Sequence, residues 1–296
     1  MELTFGTGGR FSRFSLINAQ KIVNFALDNG IRSFDTGFEY GSMKSQPLLS
    51  NCLKGALKTS REGIILSTKC APKSPEYIKS SVNKSIDIFQ CGYIDFFHLW
   101  GASINDLENK EILFALKSLI KEGKIKRASV TTQDIRTIKR ISKGDFDEIK
   151  ALMLDYNLLK QNRLEFIRQC KKNDIQIFAG TSLCQGLLLD SILKIFLRSR
   201  SPFYLARAFL KKETRNYLKP AKRARKYLKN YNRSFQNKIP LSFVINEKSI
   251  DFIPIGMLSE YSIRQNIDIL NNPIDREIIE IVSERIYKNV QVSDTI

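Results

Sequence analysis

The stretch "YIDFFHLWG", positions 93–101, decides the fold. Side chains alternate along a strand, so Phe96, His98 and Trp100 share one face while Phe97 and Leu99 share the other. Both faces are apolar or aromatic. That pattern belongs to a strand covered on two sides, between an interior and a shell of helices, as in parallel sheets. His98 is the only histidine among 296 residues, and it stands near the strand's end.

Seven further runs read as strands: "LTF" (3–5), "IRSFDT" (31–36), "GIILSTK" (63–69), "IKRASVTT" (125–132), "IKALMLDYN" (149–157), "DIQIFAG" (174–180) and "SIDFIPIG" (249–256). Helical periodicity fills most of the intervals. In "SLINAQKIVNFALDNG", Ile17, Ile22, Phe25 and Ala26 fall largely on one face, with Gly30 as the expected C-cap. "SPEYIKSSVNKSIDIFQCG" opens with Ser74 as N-cap and Pro75 at the first helical position. Asp35, Lys69, His98 and Thr131 end four successive strands, separated by 34, 29 and 33 residues. Strand, helix, strand at that pitch implies right-handed parallel crossovers. Eight such units predict a closed (β/α)8 TIM barrel, one domain spanning 1–296. The competing open doubly wound sheet needs a glycine fingerprint. "GTGGRF" (6–11) lacks its third glycine, and no helix is expected directly after it.

The five cysteines are scattered and include no C-x-x-C pair. With a single histidine, a Cys/His zinc site is not expected, and the thiols read as reduced and structural. No leader-like N-terminus and no apolar run near the roughly 20 residues that cross a bilayer is present, so the expected protein is soluble and cytoplasmic. The formal charge is +18. Between Lys194 and Lys238 there are fifteen Lys or Arg and one acid, Glu213, so +14 of that charge lies in one segment. This segment reads as an extended, helix-containing loop after strand seven, on the face where barrel sites lie, followed by a helix in "IPLSFVINEKSI". Such a basic block suits nucleic acid, an anionic lipid or a phosphorylated substrate, or forms a solvated helix face; beside a barrel mouth, an anionic substrate is the preferred reading. A nucleic-acid partner is not expected.

Together the strand ends put an acid, a phenol, an amine and an imidazole around one rim. At these residues the sequence resembles the aldo-keto reductase superfamily. "FDTGFEYG" (34–41) is similar to its Asp-Thr-Ala-x-x-Tyr-Gly motif, with Gly37 for the alanine. "ILSTK" is similar to its lysine strand and "YIDFFHLW" to its histidine strand. The resemblance runs from about Leu3 to Leu270. It implies NADPH or NADH as cofactor and reduction of a small carbonyl, such as a sugar or nucleotide-linked sugar, to an alcohol. It also implies Tyr40 as general acid, assisted by Lys69, Asp35 and His98. A free phenol titrates near 10, and a neighbouring ammonium brings it toward neutral pH. His98 would orient and polarise the carbonyl, and Trp100 would form a substrate wall.

The same resemblance implies a cofactor path. "FGT" places Gly6 and Thr7 beside the nicotinamide, next to Asp35. Thr131 and Thr132 stand for a Ser-Asn pair that holds the carboxamide, and Met153 for a glutamine. Gly180 replaces a residue that is commonly an aromatic stacking on the ring. "TSLCQGLLL" resembles the loop that follows, giving Thr181, Leu183, Gln185 and Gly186. "FIPIGMLSEYSIRQN" resembles the adenosine-phosphate loop, giving Gly256, Ser259, Ser262 and Asn266. Leu258 and Ser262 occupy positions that often carry a cation for the 2′-phosphate of NADPH, and Arg264 is out of register. These departures also admit an alternative: a barrel serving as a dinucleotide-binding or regulatory subunit with little catalytic activity.

Overall fold

The computed structural model describes residues 1–199, 206, 210 and 212–290. Its eight strands are β1 (Glu2–Gly6), β2 (Ser33–Asp35), β3 (Ile65–Cys70), β4 (Ile94–Trp100), β5 (Ile125–Thr131), β6 (Ile149–Asp155), β7 (Gln176–Gly180) and β8 (Phe252–Ile255). Each pairs in parallel with its neighbour in sequence, and β8 closes on β1 as a barrel. Every expected run forms a strand; β1 extends one residue beyond the expected run at each end and β3 one residue beyond its C-terminal end, and the other ends match or are shorter by one to three residues. Within β7 the Asp251 carboxylate accepts the Ile177 N–H at 2.8 Å.

Helices cover the barrel and start where their caps predict. Ser15 accepts from the Asn18 N–H and Ser74 from the Tyr77 N–H, with Pro75 at the first position. Each such cap contributes about 1 kcal/mol. Gly30 closes helix Leu16–Asp28 as expected: it follows the cap Asn29 at φ 83° and donates to the Leu27 carbonyl, while Ile31 donates to the Ala26 carbonyl. One sequence expectation needs correction. A helix does follow the first strand, Gly8–Phe11, but it is one turn long and its N-cap Thr7 makes no side-chain capping bond. It supplies none of the length that an open-sheet dinucleotide motif requires.

Inside the barrel, Phe96, Ala151, Met153, Phe178 and Phe252 form an apolar plug. Phe178 and Phe252 stack at 4.4 Å, and Phe96 meets them edge-on at 5.0 and 5.2 Å. Burying each ring contributes about 1.5–3 kcal/mol. His98, two residues beyond Phe96, rests edge-on against Phe178 at 4.9 Å. The plug is therefore the floor under the site. All five cysteines are free and buried. Among the described residues no helix is long and apolar enough to cross a membrane.

The basic segment contributes the helices Ile192–Ser199 and Lys212–Leu228, then Arg233–Ile245 leads into β8. Residues 200–205, 207–209 and 211, Lys211 among them, lie outside the described residues.

Candidate active site

Asp35 is the last residue of β2, Lys69 stands near the end of β3, and His98 near the end of β4. The ladder places Asp35 beside Ser67 and Lys69 beside His98, so the three rise from adjacent strands at the same rim. Lys69 is 2% exposed. Its ammonium donates to both Asp35 oxygens at 2.8 Å and to the Thr36 carbonyl at 2.6 Å, and it also hydrogen-bonds Tyr40. Burial acts most strongly on Lys69 and opposes its charge. Asp35 and Tyr40 outweigh it, and the net shift is upward from the ordinary lysine value. The amine is thus held as a cation through neutral pH.

Tyr40 lies on the turn after β2, and local geometry explains its placement. A Cβ at Gly37 would stand 2.8 Å from Tyr40 Cδ1, so the missing side chain is what lets the ring lie against the backbone. Gly41, Ser42 and Met43 follow at φ 60°, 55° and 65°. A Cβ on Gly41 would meet Ser12 Oγ at 2.1 Å. Two consecutive non-glycine residues in the left-handed region cost of order 1–3 kcal/mol each, a strain that concentrates at functional loops. Trp100, 43% exposed, meets the Tyr40 ring edge-on at 6.1 Å and forms the rim.

His98 is fully buried, and neither ring nitrogen has a hydrogen-bond partner. Burial, then the Lys69 charge, pushes its pKa well below the ordinary 6.5. The imidazole is therefore neutral, with one N–H to offer. Below pH 6.5 the unfolded chain takes up a proton that the folded chain refuses. Stability present above pH 6.5 is then lost as pH falls, by about 1 kcal/mol between pH 6.5 and 5.5 and by up to about 1.4 kcal/mol per unit below that, until the folded value is reached. Urea unfolding at pH 6.5 and 5.5 should show that difference for wild type and not for His98→Gln. Equal pH slopes in the two proteins would rule out a neutral buried His98.

The other sequence-predicted residues fall into two groups. Gly6, Thr7, Thr131, Thr132 and Gly180 sit at strand ends around the same mouth. Thr131 Oγ1 is buried without a partner, as is Ser129 Oγ next to His98 in the ladder. Such groups cost about 1–3 kcal/mol unless something polar meets them, so this rim suits the amide end of a nicotinamide. Thr7 bonds the Asp35 carbonyl and Thr36, and Thr132 accepts the Asp134 N–H. A Cβ on Gly6 would approach the Ile255 carbonyl to 3.2 Å, and Gly256 lies across from it. Thr181, Gln185 and Gly186 adopt φ values of 48°, 60° and 87° in a tight turn that also holds Leu183.

The second group is engaged with protein. Met153 belongs to the apolar plug. Ser259 and Ser262 form a reciprocal cap at the start of helix Glu260–Asn271, each side chain accepting the other's backbone N–H. Asn266 is buried in the same helix. Arg264 stands over the Phe25 ring at 4.6 Å.

Several neighbours escaped the sequence reading. Ser67 donates to Asp35 at 2.9 Å, and strand alternation with Lys69 could have found it. Asp155, at the end of β6, accepts from the Tyr217 hydroxyl at 3.1 Å. A Cβ on Gly180 would crowd the Leu154 carbonyl at 3.2 Å and stand in ordinary contact with Asp155 Oδ1. No local signal connects Tyr217 to Asp155, because the contact spans 62 residues.

Comparison with known proteins agrees with this geometry. A model of the aldo/keto reductase family matches residues 2–286. The chain is 25% identical over 272 residues to an L-galactose dehydrogenase of Arabidopsis thaliana, across 88% of this chain and 80% of that protein. It is 26% identical over 176 residues to a glyoxal reductase of Bacillus subtilis, across 58% of this chain and 61% of that one. An aldo-keto reductase from Bacillus halodurans in its holo form has the same fold, with a TM-score of 0.75 at 22% identity over 96% of this chain and 91% of that chain. So does an aldo/keto reductase from Klebsiella pneumoniae in complex with NADP and acetate, with a TM-score of 0.69 at 18% identity and the same coverage, 96% and 91%. This chain belongs to the aldo/keto reductase family. That makes it an NAD(P)H-dependent oxidoreductase, of a family that acts on small carbonyl compounds.

Proposed function

We propose that the protein reduces a small, polar, sugar-like carbonyl to an alcohol, with Tyr40 as the proton donor. The observation that carries this reading is the buried Asp35–Lys69 pair in contact with Tyr40, beside a neutral His98 with no protein partner. Bound nicotinamide supplies the hydride. Tyr40 gives its proton to the carbonyl oxygen, and the Lys69 ammonium favours the phenolate that remains. Asp35, Ser67 and the Thr36 carbonyl hold Lys69 charged and aimed. The His98 N–H donates to the same carbonyl oxygen, fixing its position and drawing charge onto it. Trp100 shields one side of the substrate. Thr131 would hold the carboxamide, and the turn Thr181–Gly186 and the start of helix Glu260–Asn271 would hold the phosphates. Similarity to an L-galactose dehydrogenase and a glyoxal reductase supports a small oxygen-rich carbonyl, and the +14 segment supports a negatively charged one.

The test is a panel of carbonyls: an aldose, its phosphate ester and a short neutral aldehyde, each with NADPH and NADH at low and high salt. Turnover of the sugars is expected. Salt should depress kcat/KM most for the phosphate ester, because the Debye length falls from about 10 Å at 0.1 M to about 3 Å at 1 M. Leu258 and Ser262 bring no cation to the 2′-phosphate. A charge-assisted contact worth about 1.5–3 kcal/mol is then missing, and the NADPH preference should stay below about a thousandfold. No turnover of any carbonyl would overturn the proposal. Equal salt sensitivity would remove the anionic substrate, and a larger NADPH preference would assign the 2′-phosphate to another cation.

A further inference from the structure

Helix Lys212–Leu228 has two unlike faces. Thr214, Tyr217, Ala221, Ala224 and Leu228 are buried against the rest of the protein. Thr214 donates to Gln185 at 2.9 Å, Tyr217 to Asp155 at 3.1 Å, and Arg225 to the Leu187 carbonyl. These bonds fix the helix on the turns after β6 and β7. The other face carries Lys219, Lys222, Arg223 and Lys226, with Lys229 just past the end, spaced by three and four residues. All five are exposed, and none makes an ion pair among the described residues. Like charges at this spacing repel one another. The fold keeps them together with none of them ion-paired to a carboxylate among the described residues.

They face a cavity of about 670 Å³. Its far side is the chain from Leu188 to Ser191 with Lys194, and one end is the first turn of helix Arg233–Ile245. Arg225 and Arg233 also line it, so eight cations surround one space. The only acid is Asp190, whose field supports the half-buried Arg225. Leu188 and Leu228 give it an apolar floor. None of the residues placed toward the dinucleotide, in Thr181–Gly186 or Gly256–Asn266, lines this cavity.

We propose that this cavity binds an organic phosphate ester carrying two or more negative charges. Guanidinium forks match phosphate oxygens in pairs, the lysines neutralise the remaining charge, and the apolar floor accepts the organic portion. Bound phosphate also relieves the repulsion along the helix. The site is separate from the reacting centre, and the proposal does not depend on the reductase chemistry. The phosphate can belong to a soluble metabolite or to a lipid headgroup. Helix Ile192–Ser199, which supplies Lys194, exposes Leu193 and Leu197 one turn apart, 58% and 63% exposed, and this suits a headgroup with acyl chains below it.

The experiment uses protein saturated with NADPH, so that the dinucleotide site is filled. One arm titrates inorganic pyrophosphate by calorimetry. The other sediments the protein with vesicles of phosphatidylcholine and phosphatidylglycerol. Both compare wild type with Lys222→Gln/Arg223→Gln/Lys226→Gln, and with Lys54→Gln/Lys117→Gln/Lys121→Gln, which removes the same net charge from exposed positions elsewhere. At least one probe should bind wild type saturably, weaken by about tenfold or more in the first variant, and be unchanged in the second. Pyrophosphate alone would identify a soluble ligand, and vesicles alone a headgroup. The proposal is overturned if neither probe binds, if both variants weaken binding equally, or if single-stranded RNA binds through these residues more tightly than either probe.

Discussion

Tyr40→Phe lowers kcat for carbonyl reduction by about 10²–10⁴-fold, the usual contribution of a positioned general acid, and leaves dinucleotide affinity within a few-fold. The ring's packing survives the substitution. It lies against Gly37 and meets Trp100 edge-on at 6.1 Å, and neither contact uses the hydroxyl. On the proposed mechanism, what disappears is the proton whose release the Lys69 ammonium favours. Stopped-flow kinetics with cofactor titration in parallel separates the two effects. Full activity in the variant would remove Tyr40 as the acid. Equal loss of binding and turnover would make it a structural residue.

The second large effect is Lys69→Met, which acts on chemistry and on stability together. The ammonium holds both Asp35 oxygens at 2.8 Å in a site almost closed to water. Removing one member of a buried pair leaves the other charge uncompensated and costs about 3–5 kcal/mol. Turnover falls at least as far as in Tyr40→Phe. Asp35→Asn/Lys69→Met removes both charges at once. It should regain most of the lost stability in urea unfolding and none of the activity. An unstable double variant would show that the pair is needed for more than mutual neutralisation. An active one would show that Lys69 does not serve Tyr40.

The barrel was legible because its strands are short apolar runs at nearly constant pitch, and because Asp35, Lys69, His98 and Thr131 each end one. Alternation placed His98 above Phe96, and the Phe178–Phe252 stack beneath it is what those runs build when the barrel closes. The four-residue helix Gly8–Phe11 escaped because one turn carries no periodicity and its start has no side-chain cap. Gly37 and Gly180 read as departures from a family pattern. In space Gly37 yields room to the Tyr40 ring, and Gly180 to the close approach of the Leu154 carbonyl. The Tyr217–Asp155 contact joins an inserted helix to a strand end, and no spacing rule links them. Ser259 and Ser262 show the opposite limit: their positions were readable, but the reciprocal cap they form, which occupies each other's backbone N–H, was not.

The most direct measurement is a single-turnover reduction with a dinucleotide deuterated at the reactive nicotinamide carbon, for wild type and Tyr40→Phe side by side. In wild type the product alcohol should carry one deuterium on the former carbonyl carbon, and the variant should form almost none on the same timescale. Unlabelled alcohol from wild type, or labelled alcohol at the same rate from both proteins, would contradict proton donation by Tyr40 to a carbonyl reduced by nicotinamide hydride.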